Sequence, residues 1–320
     1  MSKLEREIII DDYQLVRNLI GKKDKNIKII EEVTGAKLIV RGNSIKIIAY
    51  EDILDQVENI INKLIEITPD DKNLSEQDVK YSVELLSKDK STNLNEIYDD
   101  ILQVNFRGKK IKLKTLGQKV YVDAIRSSDI VFSIGPAGTG KTYLAMVMAV
   151  KSLLNKEVNR IVLTRPAIEA GEKLGFLPGD MQDKVDPYLR PLYDALYDIL
   201  GPEKVSLYLE KDIIEVAPLA YMRGRTLDNS FVILDEAQNT TPEQMKMFLT
   251  RIGFSSKAII TGDTTQVDLP NKKKSGLSQV QIILKNIEGI EFVRLSKQDV
   301  VRHKLVKDII KAYENYESRN

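Results

Sequence analysis

The chain contains no cysteine and no tryptophan, and its only histidine is His303. Without cysteine there are no disulfides, thiolate metal sites or thiol nucleophiles, which fits a reducing cytoplasmic setting. A single imidazole also excludes histidine-rich metal centres and most histidine-based acid–base schemes. No apolar run approaches the roughly 18 residues that a membrane span requires, so no membrane partner is expected. The opening residues, Met1-Ser2-Lys3-Leu4-Glu5-Arg6-Glu7, carry acids where an export signal would be apolar. Aromatic residues make up only 6%, so stacking platforms for single-stranded bases are not obvious.

What is present is balanced. In 320 residues, 48 lysines and arginines face 47 acids, and 42% of residues are hydrophobic. Such a composition suits a globular chain of about two domains. The neutrality is uneven along the chain: residues 1–50 carry a net +3, residues 51–100 a net −9 and residues 101–320 a net +7.

Residues 1–67 read as a small α+β domain in the order β-α-α-β-β-α. Leu4–Ile10 ends in isoleucines, and Leu15, Val16, Leu19 and Ile20 then follow at helical spacing. Gly42-Asn43 splits two β-rich runs, and Ile53 to Leu64 repeats as one helix face. With Gly21-Lys22-Lys23-Asp24 between its first two helices, this domain resembles an RNA-binding KH module. The KH loop is Gly-x-x-Gly, and Asp24 stands where its second glycine would be; an acid there repels phosphate. Residues 68–104 read as an acidic, partly helical linker, with Ser75-Glu76-Gln77-Asp78 as a helix start.

Residues 105–320 alternate short apolar strands with helices, the pattern of a mostly parallel α/β sheet. Strands are expected at 129–134, 160–164, 213–216, 231–234, 257–260 and 291–295. A polar stretch with three prolines, Pro178 to Pro191, reads as an inserted loop near the nucleotide edge.

The strongest signal is Gly135-Pro136-Ala137-Gly138-Thr139-Gly140-Lys141-Thr142, which satisfies G-x-x-x-x-G-K-[ST]. A strand precedes it and an apolar helix follows. Glycines let main-chain N–H groups wrap phosphates, and the helix N-terminus adds positive potential. Lys141 is placed to reach the β and γ phosphates, and Thr142 to ligate Mg2+. The apolar run ending in Leu234-Asp235-Glu236-Ala237-Gln238 puts Asp235 in the metal shell and Glu236 against the attacking water. A third strand ends in Thr261-Gly262-Asp263-Thr264-Thr265-Gln266, and the Gln266 amide suits a sensor of the γ phosphate.

Asp-Glu-Ala-Gln followed by Gly-Asp-x-x-Gln resembles the superfamily-one helicases, and Leu116 to Tyr313 resembles the PhoH-type ATPases. The runs that carry the likeness include Thr115-Leu116-Gly117-Gln118, Thr164-Arg165-Pro166, Arg223-Gly224-Arg225-Thr226, Ser275-Gly276-Leu277 and Asp299-Val300-Val301-Arg302-His303. The resemblance implies a RecA-like P-loop core, ATP and Mg2+ as ligands, and RNA as a partner. It makes Gln118 the reader of adenine and places Arg165 where helicases meet a single strand. Arg223, Arg225 and Arg302 become candidates for stabilising transition-state charge, against a structural ion-pair role for each. Two basic clusters, Arg107/Lys109/Lys110/Lys112/Lys114 and Lys272-Lys273-Lys274, could neutralise nucleic-acid phosphates.

A single nucleotide core must supply its own arginine or borrow one, so a homo-oligomeric ring, such as a hexamer, is expected. Two outputs fit these residues: ATP hydrolysis coupled to RNA binding or remodelling, and an ATP-gated module that switches its hold on an RNA-processing or ribosome-associated partner without unwinding.

Overall fold

Two units divide the chain, Met1–Asp100 and Ile101–Asn320. The computed structural model describes residues 3–69, 73–166, 181–269, 274–302 and 304–317.

The first unit runs β1 (Leu4–Ile9), α1 (Tyr13–Ile20), α2 (Lys25–Thr34), β2 (Lys37–Arg41), β3 (Ser44–Ala49), α3 (Glu51–Ile67), α4 (Glu76–Lys88) and α5 (Asn95–Tyr98). Its three strands pair antiparallel in the order β1-β3-β2, which with α1, α2 and α3 gives the KH-like arrangement. Asp12 starts α1 by accepting from the amides of Gln14 and Leu15. In the loop between α1 and α2, Asp24 takes a left-handed conformation (φ 58°), the backbone region a glycine adopts most cheaply. Its side chain is an exposed acid.

The stretch read as a linker supplies α4 and α5 to this unit. Ser75 caps α4 by accepting from Asp78 N at 3.1 Å. Val79, Val83 and Leu86 recur at helical spacing and are fully buried, with α4 packed on α2 and α3. Each such side chain contributes about 1.5–3 kcal/mol on burial. Most of the acids, Glu76, Asp89 and Glu96 among them, lie on exposed faces, while Asp78 is buried.

The second unit opens with a hairpin, β4 (Ile101–Val104) and β5 (Lys110–Lys112), then α6 (Leu116–Ser127), β6 (Ile130–Ile134), α7 (Lys141–Leu154) and β7 (Arg160–Arg165). It continues with α8 (Met181–Leu200), α9 (Pro202–Glu210), β8 (Ile214–Pro218), β9 (Ser230–Leu234), α10 (Pro242–Leu249), β10 (Lys257–Gly262), α11 (Gly276–Ile283), β11 (Ile290–Arg294) and α12 (Lys304–Glu317). Six strands form one sheet in the order β11-β6-β10-β9-β7-β8, every pair parallel. All six expected strands are present, with ends shifted by one or two residues. This is a RecA-like P-loop core: β10 lies between the strand feeding the glycine loop and the strand ending at Asp235. Buried Phe132 and partly buried Phe292, register partners on β6 and β11, stack with centroids 4.6 Å apart.

One expectation is corrected here. The proline-rich stretch is not a loop from residue 181 onward, because α8 runs through Pro187 and Pro191. Each interior proline costs a helix about 3 kcal/mol. Leu189, Leu192, Leu196 and Ile199 are buried at helical spacing, and their packing outweighs that cost. Pro178 and Asp180 lie outside the described residues. Among the described residues no helix is long and apolar enough to cross a membrane.

Candidate nucleotide site

Parallel strands deliver their C-terminal ends to one edge, where open α/β sheets bind ligands. Gly135 follows β6, Asp235 and Glu236 follow β9, and Gly262 ends β10 and leads into Asp263. The loop is tied to the sheet by Gly135 N donating to Gly262 O at 3.1 Å. Gly138 and Gly140 have φ of 83° and 86°, conformations closed to most side chains. A β-carbon on Gly138 would strike the Nε of Arg302, so that guanidinium lies against the loop. Val301 N fixes it there by donating to Gly138 O at 2.9 Å.

A cavity of about 230 Å³ opens at this edge, walled in part by Gly138, Lys141, Thr142, Asp235, Glu236 and Gln266. Lys141 Nζ donates to Gly135 O at 2.7 Å and Pro136 O at 2.9 Å. An ammonium has three donors, so one remains for a phosphate oxygen. Burial lowers the Lys141 pKa from the ordinary lysine value, opposed by Asp263, Asp235 and Glu236 and assisted by Arg302.

Asp235 is 6% exposed, and its Oδ1 accepts from Thr142 Oγ1 and from Thr261 Oγ1, each at 2.7 Å. Asp263 is also buried; Thr265 bonds its Oδ1, while its Oδ2 has no hydrogen-bond partner. Glu236 sits in the left-handed region (φ 51°). Its Oε1 accepts from Arg165 Nη2 at 3.1 Å and its Oε2 from Gln238 Nε2 at 2.6 Å. Gln238 is buried, and its Oε1 accepts from Asp263 N at 3.0 Å.

The residues expected at the site converge on it, with three differences. Arg165 is directed at Glu236 and at Tyr188 O (3.0 Å) on α8, so two of its five N–H donors are engaged by the protein itself. Gln118 lies beside the loop, but both ends of its amide are bonded to main chain. Nε2 donates to Thr139 O at 2.9 Å, and Oε1 accepts from Lys114 N at 2.8 Å. Arg225 makes a two-pronged pair with Glu215 at 2.5 and 2.6 Å, the structural role, while Arg223 is exposed. Lys272, Lys273 and His303 lie outside the described residues. Sequence reading gave no role to Thr261 or Gln238, and it did not pair Arg165 with Glu236. These contacts depend on which strands are neighbours, and spacing within one motif carries no such information.

A glycine loop on a helix N-terminus, with acids at the end of a parallel strand two places along the sheet, puts the protein in the P-loop NTPase class. Sequence comparison narrows the class: residues 110–314 match the family described as PhoH-like protein, and the chain belongs to it. The PhoH-like protein of Bacillus subtilis is 50% identical over 297 residues, covering 93% of each chain. The PhoH-like protein of Mycobacterium tuberculosis strain H37Rv is 52% identical over 304 residues, 95% of this chain and 86% of that one. Among solved structures, the Pif1 helicase of Candida albicans is 14% identical, covers 64% of this chain and 44% of its own, and aligns with a TM-score of 0.33.

Proposed function

We propose that this protein hydrolyses ATP with Mg2+ and couples the cycle to binding or remodelling of RNA. The observation that carries the catalytic part is the convergence of Thr142 and Thr261 on Asp235 beside Lys141. A hydroxyl and a buried carboxylate are hard-oxygen donors of the kind Mg2+ takes, and the unpartnered Asp263 Oδ2 adds a buried anion in the same cavity. Among the described residues no cluster of three His, Cys, Asp or Glu could hold a metal ion by itself. That suits an ion bound by Thr142, Asp235 and phosphate oxygens. When bound, it neutralises charge on those oxygens.

Within the chain's own groups the division of labour is direct. Loop amides and the Lys141 ammonium bind and orient the phosphates. Glu236 keeps two of its four acceptor sites free to take a proton from water. Gln266, exposed at the cavity wall, senses the γ phosphate. Arg302, lying across Gly138, contributes positive charge in cis.

The basic hairpin supports the RNA part. Lys110 and Lys112 are exposed on one face of β5, about 6.7 Å apart at strand spacing, while Ile111 between them is buried. Arg107 stacks over Phe106 with 5.1 Å to the ring centroid. The strand leads to Lys114, whose amide meets Gln118, which in turn holds Thr139 of the loop. A load on the hairpin therefore has a bonded route to the phosphate site. Assembly into a homo-oligomeric ring is part of this reading, and sedimentation of the active protein tests it.

The deciding experiment is ATP turnover with and without single-stranded RNA, in the wild type, Lys141→Ala and Glu236→Gln. Turnover should fall in both variants, with nucleotide binding lost in the first and kept in the second. Undiminished turnover in both rejects the assignment.

A further inference from the structure

We infer that Arg165 is a positioning residue for Glu236, acting through that carboxylate and not on nucleotide or RNA. The inference rests on the hydrolase reading above and extends it to a residue outside the P-loop and its acids.

Three observations carry it. First, Arg165 ends β7, and the β7–β9 register places Thr164 opposite Leu234, so Arg165 projects from the strand end next to the acidic pair. The backbone reinforces this neighbourhood, since Asp235 N donates to Thr164 O at 2.9 Å. Second, the guanidinium is bonded at two separate points. Nη1 donates to Tyr188 O on α8 at 3.0 Å, and Nη2 donates to Glu236 Oε1 at 3.1 Å. Each amino group is thereby anchored by one bond to the protein, and a planar fork held at two points has little freedom to turn. Third, Glu236 lines the cavity and Arg165 does not.

Glu236 needs such support. Its backbone is left-handed, a region that residues with a β-carbon adopt at a cost, and its side chain is 35% exposed. A half-exposed carboxylate on a strained residue would otherwise sample several rotamers. Arg165 on one oxygen and Gln238 on the other reduce it to one orientation. Gln238 is itself set by Asp263 N, so the carboxylate is strung between β7, β10 and α8. Misplacing a reacting group by about 1 Å can cost a hundredfold in rate.

The test is steady-state ATP hydrolysis with nucleotide affinity measured in parallel, for Arg165→Ala, Arg165→Lys, Glu236→Gln and the Arg165→Ala/Glu236→Gln double variant. Arg165→Ala should lower kcat by roughly 10- to 100-fold, with KM and nucleotide affinity within twofold of wild type. Lysine keeps the charge but loses the fork, so it should restore only part of kcat. In the Glu236→Gln background, removing Arg165 should cost nothing further, because its route to the chemistry is already gone. Full kcat in Arg165→Ala, a loss confined to KM, or losses that multiply in the double variant would each overturn the inference. So would a loss seen only in RNA affinity or RNA-stimulated turnover, which would return Arg165 to a single-strand contact. If Arg165→Ala fails a thermal-melt check for folding, Arg165→Gln takes its place under the same criteria. No hydrolysis by the wild type would sink the underlying reading as well, whereas wild-type turnover with an indifferent Arg165 sinks this inference alone.

Discussion

Thr261 Oγ1 donates to Asp235 Oδ1 at 2.7 Å, and Thr261 itself is fully buried. It cannot touch nucleotide, yet it shares with Thr142 the oxygen assigned to the metal shell. Thr261→Val keeps the branched shape and removes the donor. The expected result is roughly 10-fold weaker Mg2+-dependent nucleotide binding, as for other groups that orient a metal ligand. A modest stability loss of about 1 kcal/mol should accompany it. Nucleotide titrations at stepped Mg2+ concentrations, paired with thermal melts, check both. Unchanged Mg2+ dependence would remove Thr261 from the site.

Much of this site could be read from sequence because its parts are local. Gly135 to Thr142 is contiguous, and the strand before it and helix after it follow from apolar runs. Asp235 and Glu236 end one such run. The contacts of Arg165 and Gln238 with Glu236 could not be read there, because they depend on β7, β9 and β10 lying side by side, a fact of tertiary topology. The α8 segment failed for a different reason. Pro187 and Pro191 are strong local signals against helix, and they were overridden by burial of Leu189, Leu192 and Leu196, which a local reading undervalues. In residues 76–98 the helix start is legible at Ser75, but not the packing: most of their acids face outward while Val79, Val83 and Leu86 are buried.

Lys141 should give nucleotide binding a distinctive pH dependence. Burial lowers its pKa from the ordinary 10.5, and the Arg302 charge adds to the effect. Its ammonium form, the one that binds phosphate, is therefore lost at a lower pH than for an exposed lysine. ATP affinity at saturating Mg2+ should decline on the alkaline side beginning below 10.5. Arg302→Gln removes a repelling charge and should move that decline upward. Asp263→Asn removes an attracting one and should move it downward. Affinities measured from neutral pH upward test the signs, and a shift in the same direction for both variants would contradict the electrostatic account.

Arg225 tests the separation of structure from catalysis. Its pair with Glu215 is two-pronged, but both side chains are about a third exposed, at 30% and 31%. Solvent screening limits such a pair to about 1 kcal/mol. Arg225→Ala should lower denaturant stability by that amount and leave kcat within twofold. A large loss of turnover in a folded variant would instead give Arg225 a catalytic part.

The hairpin offers the sharpest test of the RNA reading, because its charges are ordered by the strand itself. Lys110 and Lys112 share the exposed face of β5, opposite Val104 and Ile101 of β4. If they contact successive phosphates, each contributes to counterion release, and losing one should reduce the salt slope of binding by about 1. Lys110→Ala/Lys112→Ala should therefore weaken single-stranded RNA binding about equally across sequences and flatten its dependence on salt. Basal ATP turnover should persist, since neither side chain lines the nucleotide cavity, while stimulation by RNA should fall. Fluorescence anisotropy over a range of salt concentrations measures the slope directly. A double variant with wild-type affinity and an unchanged slope would show that this face is merely solvated, and RNA would have to engage the protein elsewhere.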